Sequence, residues 1–218
     1  MSANSSLFWL QAGRWLTVLL LLAVYPLSSV APATWGWENG PVENLQVLVL
    51  LGGLLTAWAF SLKVRHRDSR RVAAGAVLLW TIAAARELSW AAVFLSPTLV
   101  KDTGPTFSAR LLPYHAIVDP VVVMLVIASM LLFALGRLRP MIQRQIQAGL
   151  FPWLEVGIGI MAALAATYAE GHLHVAGQPN LPDVQCQLIE ELCELVSYMA
   201  LYLAHARFFI TQQGRAGL

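Results

Sequence analysis

The chain has 218 residues, of which 58% are hydrophobic and 12% charged, and its mean hydropathy is +0.64. Soluble domains are about half apolar and a quarter charged, so this composition excludes an ordinary soluble domain. The net charge is only +2, with 14 Lys and Arg against 12 Asp and Glu, so the total charge does not indicate a nucleic-acid partner. We therefore expect an integral membrane protein without a nucleic-acid partner.

Apolar runs long enough to cross a bilayer occur along the whole chain. A spanning helix needs about 20 mostly apolar residues. Six segments fit, approximately Trp15–Ala33, Pro41–Leu62, Val72–Leu95, Pro120–Gly136, Pro152–Tyr168 and Val184–Phe208. Because the connections between them are short, the sequence predicts an all-α, six-helix transmembrane bundle that forms a single domain over residues 1–218.

The basic residues predict the orientation of this bundle, since Lys and Arg are retained on the cytoplasmic side. With the N-terminus inside, eleven of the 14 fall on that side: Arg14, Lys63, Arg65, Arg67, Arg70, Arg71, Arg137, Arg139, Arg144, Arg207 and Arg215. Both termini are therefore expected in the cytoplasm. The first segment is also similar to a secretory signal that ends at Ala31-Pro32-Ala33, and its cleavage would leave five spans in the same orientation.

The acidic residues collect on the opposite, extracytoplasmic side. They are Glu38, Glu43, Glu87, Asp102, Asp119, Glu170, Asp183, Glu190, Glu191 and Glu194. Several acids are also explained by the starts of helices, where a side-chain oxygen binds free backbone N–H groups: Asp119 and Asp183 as N-caps, and Glu43 and Glu155 in first turns. Pro120 and Pro152 suit the first positions of two of these helices.

Glu87 and the three glutamates of the last segment are not explained in this way. Glu87 lies eight residues before Leu95, about 12 Å from the expected outer end of its helix, and Glu191 lies at a similar depth beyond Asp183. At about 100° per residue, Glu190, Glu191 and Glu194 share one face of the last helix. Charged groups at such depths face the bundle interior and mark functional sites.

Several carboxylates in a partly dry pocket need protons, a basic partner or a metal cation. A divalent metal, zinc, iron or manganese, is one expectation, since oxygen and imidazole ligands suit these ions. The candidate metal ligands are Glu43, Glu87, His115, Asp119, Glu191 and Glu194. Of these, His115 and Asp119 share a face if their turn is helical. The candidate catalytic residues are Glu190 as general base, Ser89 as a hydrogen-bond partner and Arg86 as a cation beside the carboxylates.

Two stretches resemble bacterial multi-pass membrane proteins of no assigned activity. Glu38-Asn39-Gly40-Pro41-Val42-Glu43 is an acidic helix start, and Glu87-Leu88-Ser89-Trp90 forms a Glu-x-Ser-Trp motif. The resemblance as a whole covers about a third of the chain. This resemblance implies a location in the bacterial inner membrane.

A second resemblance is to the membrane hydrolases that include alkaline ceramidases and adiponectin-type receptors. Trp37-Glu38-Asn39, Ser89, His115 and Asp119 occur in the order of that group's acidic motif, serine and zinc-site residues. The spacings differ, six expected spans replace seven, and Glu190, Glu191 and Glu194 stand where that group has a late pair of histidines. The resemblance implies a zinc-dependent hydrolase of a lipid or lipid-linked substrate.

The sequence thus predicts a membrane-embedded, metal-dependent enzyme, a hydrolase of a lipid or lipid-linked substrate, whose site opens to the extracytoplasmic side. Membrane lipids and a lipid-linked substrate are the expected partners. One alternative is a proton- or cation-coupled transporter or channel that uses the same acids. A second alternative is a non-catalytic subunit whose carboxylates bind a membrane protein partner.

Overall fold

The computed structural model describes residues 3–172 and 181–216, with side chains for residues 8–172 and 181–212. The protein is 80% helical, which confirms the nearly all-α prediction. The described helices are α1 (Ala3–Val30), α2 (Pro41–Lys63), α3 (Arg67–Glu87), α4 (His115–Leu135), α5 (Leu138–Gln147), α6 (Trp153–Ala169) and α7 (Asp183–Ala216). Strands β1 (Leu99–Lys101) and β2 (Gly104–Thr106) form an antiparallel hairpin in which Leu99 pairs with Thr106.

Within the described ranges, three helical segments are long and apolar enough to cross a membrane: Phe8–Val30, Ala33–Lys63 and His115–Leu135. In the most apolar part of His115–Leu135, only 11% of the residues are buried inside the protein. Met130 and Leu131 are 65% and 57% exposed there. Side chains of this kind are unfavourable in water and are favoured in the hydrocarbon of a bilayer. The chain is therefore a membrane protein.

Two helices begin close to the prolines that predicted them. Helix α2 starts at Pro41 and α6 starts at Trp153, next to Pro152. Proline is favoured at such positions because the first N–H groups of a helix have no partner within it.

The third helix was predicted to span Val72–Leu95, but α3 ends at Glu87. Ser89, Trp90 and Ala91 have φ values of 43°, 56° and 79°, which a right-handed helix does not allow. Ser89–Phe94 forms short 3₁₀ turns instead. Glu87 is therefore the last residue of its helix. The sequence predicted instead that Glu87 lies two turns inside the helix, and that prediction is wrong.

The fourth helix begins at His115, five residues earlier than predicted, with Tyr114 in the capping position. The prediction that Asp119 is an N-cap is therefore wrong, and Pro120 lies inside the helix. A proline this near the start removes only one hydrogen bond, so the helix continues through it. The same early start places His115 and Asp119 in one helix, four residues apart, as the proposed shared face requires.

Three further stretches are more helical than predicted. Helix α1 begins at Ala3, twelve residues before Trp15, and α7 continues to Ala216. Helix α5 occupies a segment that the sequence left as a connection. Its buried residues Met141 and Gln145 are four apart and share one face. An amphipathic pattern of ten residues forms a helix here without being long enough to span a bilayer.

The chain divides into two compact units. Unit 1 comprises Met1–Gln46, Ser96–Phe107 and Trp153–Ala204, and within it α6 packs on α7. The Ser197 hydroxyl donates to the carbonyl of Gly159 over 3.1 Å. Small and branched side chains of these two helices are buried in the protein: Ala162, Leu188, Leu192, Val196 and Ala200, each at most 3% exposed.

Unit 2 comprises Val47–Leu95, Ser108–Pro152 and His205–Leu218. Helices α3 and α4 approach closely in it, since the Ser129 hydroxyl donates to the carbonyl of Gly75 over 3.0 Å. The indole of Trp80 donates to His205 Nδ1 over 2.9 Å. The rings of Phe60 and Phe209 stack with their centroids 4.2 Å apart.

Candidate functional site

The site in unit 1 is centred on a hydrogen-bonded pair, Gln46 of α2 and Glu191 of α7. Gln46 lies in the second turn of its helix and is completely buried. Its Nε2 donates to Glu191 Oε2 over 2.9 Å and to the Glu191 backbone carbonyl over 2.8 Å. Both amide hydrogens are thus used, and they fix the direction in which the amide points.

Within the described residues, the carbonyl oxygen of the same amide has no partner. Gln46 Oε1 is buried, and no donor within the described residues forms a hydrogen bond with it. A buried acceptor without a donor costs about 1–3 kcal/mol, so such atoms are uncommon unless a ligand, a water or a proton completes them. The oxygen belongs to the same amide group as the nitrogen that binds Glu191, so it lies within one amide group of that hydrogen bond.

Further carboxylates surround this pair. The negative charges of Glu194, Glu43 and Glu190 all act on Glu191. Glu43 is 8% exposed, and the three glutamates of α7 are half-buried. We name the group of Glu43, Gln46, Glu190, Glu191 and Glu194 the carboxylate cluster. Four carboxylates in so small a volume repel one another unless they bind protons or cations.

The turn before α2 sets the position of Glu43. The Asn39 N–H donates to the Glu43 carboxylate, and Asn39 itself has a left-handed φ of 58°. The amide of Asn44 donates to the Gly40 carbonyl over 2.7 Å. The predicted helix-start role of Glu43 is therefore observed, and the same carboxyl group belongs to the carboxylate cluster.

Glu38 connects this turn to the β1–β2 hairpin. Its Oε2 accepts the backbone N–H of Phe107 over 2.6 Å. The indole of Trp37 lies against Gly104, whose φ of 111° is unsuited to other residues. The acidic stretch that the sequence singled out before α2 thus holds a loop of unit 1 beside the start of that helix.

An ion pair joins α1 to the first turn of α6. Arg14 of α1 donates to Glu155 Oε1 through Nε over 3.0 Å and through Nη2 over 2.7 Å. Glu155 is 1% exposed. Sequence analysis placed Arg14 on the cytoplasmic side and gave Glu155 only a helix-start role. Their opposite charges were the available signal for the pair.

The Glu-x-Ser-Trp motif lies in unit 2, where it forms the strained turn after α3. Glu87 is 8% exposed, whereas Arg86 is exposed. The Tyr114 hydroxyl donates to the carbonyl of Trp90 over 2.8 Å and so binds the turn. Consecutive left-handed residues other than glycine are costly and occur most often at functional sites. The notable feature of this motif is therefore its left-handed backbone conformation. The depth of Glu87 within a helix, which the sequence predicted, is not observed.

His115 and Asp119 are both exposed on the first turns of α4, also in unit 2. The Nδ1 of His115 lies 3.0 Å from the Leu112 carbonyl oxygen. Of the other histidines, His172 has its Nδ1 2.9 Å from the exposed carboxylate of Glu170, and His174 lies outside the described residues.

The expected metal ligands therefore belong to two units. Glu43, Glu191 and Glu194 lie in unit 1, whereas Glu87, His115 and Asp119 lie in unit 2. Within residues 3–172 and 181–216, no three His, Cys, Asp or Glu side chains are placed to hold one metal ion. The metal site therefore stays a prediction from sequence.

Sequence reasoning missed Gln46, the central residue of the cluster. Its signal was an uncharged amide three residues after Glu43, on the same side of an apolar helix. Neither a family model, nor a curated protein, nor a solved structure matches the chain. The function of the cluster is therefore inferred from its own side chains.

Proposed function

We propose that this protein is a proton-coupled membrane transporter or channel whose carboxylate cluster binds and releases protons. The observation that carries the proposal is the buried Gln46 Oε1, which lacks a donor among the described residues, while the charges of three other glutamates act on its partner Glu191. A carboxylate is only an acceptor, whereas a protonated carboxyl group carries an O–H that can donate. Protonation of one neighbouring glutamate would therefore supply the missing hydrogen bond and reduce the repulsion.

Buried polar groups deeper in unit 1 support movement of protons beyond the cluster. Ser197 lies six residues past Glu191, about 9 Å along α7. It binds the Gly159 carbonyl, and Glu155 lies about 6 Å further along α6. Thr17 of α1 is also buried, at 1% exposure. Polar groups at such intervals within membrane helices are typical of ion and proton pathways.

The proposed membrane arrangement is six spans in a bacterial inner membrane, with both termini in the cytoplasm. In this arrangement α3, α6 and α7 cross the bilayer together with the three apolar segments described above. The distribution of Lys and Arg supports this orientation, and it places the carboxylate cluster toward the extracytoplasmic side. Fusions of alkaline phosphatase after Asp102 and after Leu218 would test it, with activity expected only from the first.

Proton binding is tested by infrared difference spectroscopy of the purified full chain between acid and alkaline pH. We expect a protonated-carboxyl band that is lost or shifted in Glu191→Gln and in Gln46→Leu. Glu170→Gln is the matched control, because Glu170 is an exposed acid of unit 1 outside the cluster. An unchanged band in both cluster variants would refute a proton-binding cluster.

Coupled transport is tested in liposomes that contain a pH-sensitive dye. An imposed proton gradient should drive dye acidification faster with wild-type protein than with Glu191→Gln at equal protein content. Equal rates for the two proteins and for empty liposomes would contradict proton passage. The infrared result would then show whether the cluster binds protons without passing them across the membrane.

A metal-dependent hydrolase of lipid or lipid-linked substrates is the second candidate, favoured by the strained turn at Ser89–Ala91. Its metal ligands and general base would be those predicted from the sequence. Elemental analysis of the wild-type protein beside Glu87→Gln and Glu191→Gln, each taken singly, decides between the candidates. Stoichiometric transition metal that either variant loses supports the hydrolase, and metal-free, folded protein supports proton binding.

A further inference from the structure

The most strongly charged surface of the protein lies in unit 2, outside the carboxylate cluster. The two stretches 63–71 and 137–150 contain eight Lys or Arg residues and one acid, Asp68. Six of these arginines are exposed: Arg65, Arg67, Arg70, Arg137, Arg139 and Arg144. We name these six residues the arginine surface.

Contacts around Asp68 show that the two stretches lie together. Its carboxylate is 3.8 Å from Arg71 Nη1 and 4.0 Å from Arg137 Nε. Arg71 also donates to the Leu135 carbonyl over 3.1 Å. A Cβ added to Gly136 would lie 2.8 Å from the Asp68 carbonyl oxygen, so the backbones are close. One partly buried carboxylate cannot neutralise the six exposed guanidinium groups.

Helix α5, which carries Arg139 and Arg144 of this surface, is held in place by a buried side chain. Its Gln145 is 1% exposed and donates to the Phe208 carbonyl over 3.1 Å and to Thr211 Oγ1 over 2.7 Å. Arg137 has a left-handed φ of 54°, so the chain turns sharply between α4 and α5. A short helix with one buried side, exposed arginines and exposed Ile146 is typical of a helix that lies at a membrane surface.

Three of these arginines lie where their own helices repel them. Arg67 and Arg70 stand in the first turn of α3, and Arg139 stands in that of α5. The N-terminal end of a helix carries partial positive charge, which repels cations. A phosphate beside these residues would remove that repulsion, and guanidinium groups bind phosphate oxygens in pairs.

We propose that the arginine surface binds the phosphate headgroups of anionic phospholipids in the leaflet that it faces. The charge of the surface complements such headgroups, and exposed Ile146 can contact the acyl chains beside them. The proposal is independent of proton binding by the carboxylate cluster, because it rests on other residues in the other unit.

Native mass spectrometry of the full chain in neutral detergent provides the test. Phosphatidylglycerol and phosphatidylcholine are added in equal amounts, and the lipid retained by each chain is measured. We expect preferential retention of phosphatidylglycerol. Removal of each arginine should lower its affinity about fivefold, since a basic residue near an anionic membrane surface contributes about 1 kcal/mol. Higher salt should weaken retention further.

Two double variants, Arg139→Gln with Arg144→Gln and Arg67→Gln with Arg70→Gln, change separate parts of the surface. If one pair does not fold, the other still provides the test. Arg110→Gln is the matched control, because Arg110 is exposed and lies before the start of α4, whereas the arginine surface adjoins the end of α4 and the start of α3. Unchanged selectivity in a folded double variant would overturn the proposal. Equal retention of both lipids, or displacement by an equal concentration of inorganic phosphate, would also overturn it.

Discussion

The Glu191 carboxylate accepts a hydrogen bond from Gln46 Nε2 over 2.9 Å, and the Glu191 backbone carbonyl accepts the second N–H of the same amide. A single buried glutamine therefore binds α2 to α7 in unit 1. The pair combines two roles, since the same amide joins two helices and leaves a buried acceptor beside several carboxylates.

The first prediction concerns the structural role of this amide. Gln46→Leu keeps the volume of the side chain but removes both donors to Glu191. We expect it to lower the free energy of unfolding by about 1–3 kcal/mol. The measurement is an SDS-unfolding titration monitored by tryptophan fluorescence, with exposed Gln147→Leu as the control. Equal stability of the two variants would show that the pair does not hold the helices.

The second prediction concerns the ion pair of Arg14 and Glu155. Arg14→Met removes both guanidinium donors from a carboxylate that is 1% exposed. We expect this variant to lose about 3 kcal/mol of unfolding free energy, because a buried charge loses its partner. Arg14→Met with Glu155→Met should recover part of that loss. A double-mutant cycle measures the coupling, and additive effects of the two changes would show that the residues act independently.

The third prediction compares two glycines of unit 1. Gly104→Ala would place a methyl group against the Trp37 indole at a φ of 111°, so we expect a loss of about 1 kcal/mol or more. Gly157 of α6 has open space around its Cβ position. Gly157→Ala should instead raise stability by about 0.5–1 kcal/mol. Thermal unfolding in detergent provides both values, and destabilisation by Gly157→Ala would reveal a packed helix face there.

Apolar length and proline position are strong sequence signals, and they located the beginnings of α2 and α6 well. Both depend on local physics, since proline lacks an N–H and long apolar runs avoid water. The end of α3 had no such signal. The residues that break it are Ser89, Trp90 and Ala91, none of which is glycine or proline. Tertiary contacts such as the Tyr114 hydrogen bond stabilise a turn that local preference opposes.

The candidate site was also only partly predictable. The common face of Glu190, Glu191 and Glu194 follows from helical periodicity alone. The approach of Glu43 to Glu191 depends on how two helices distant in sequence pack, which periodicity does not specify. Gln46 was overlooked because a search for charge does not detect a neutral amide. Its importance comes from burial, which makes each of its polar atoms costly to leave unpaired.

The last prediction concerns the strained turn in unit 2. Ala91 has a φ of 79°, which costs an alanine about 1–2 kcal/mol and a glycine very little. Ala91→Gly should therefore raise the midpoint of thermal unfolding. Its neighbour Ala92, 2% exposed, has no positive φ, so Ala92→Gly should lower that midpoint through lost packing and added chain entropy. If both variants were destabilised equally, the turn would not store strain at Ala91. If Ala91→Gly alone were stabilised and proton passage were reduced, the strain at the Glu-x-Ser-Trp motif would contribute to function at the expense of stability.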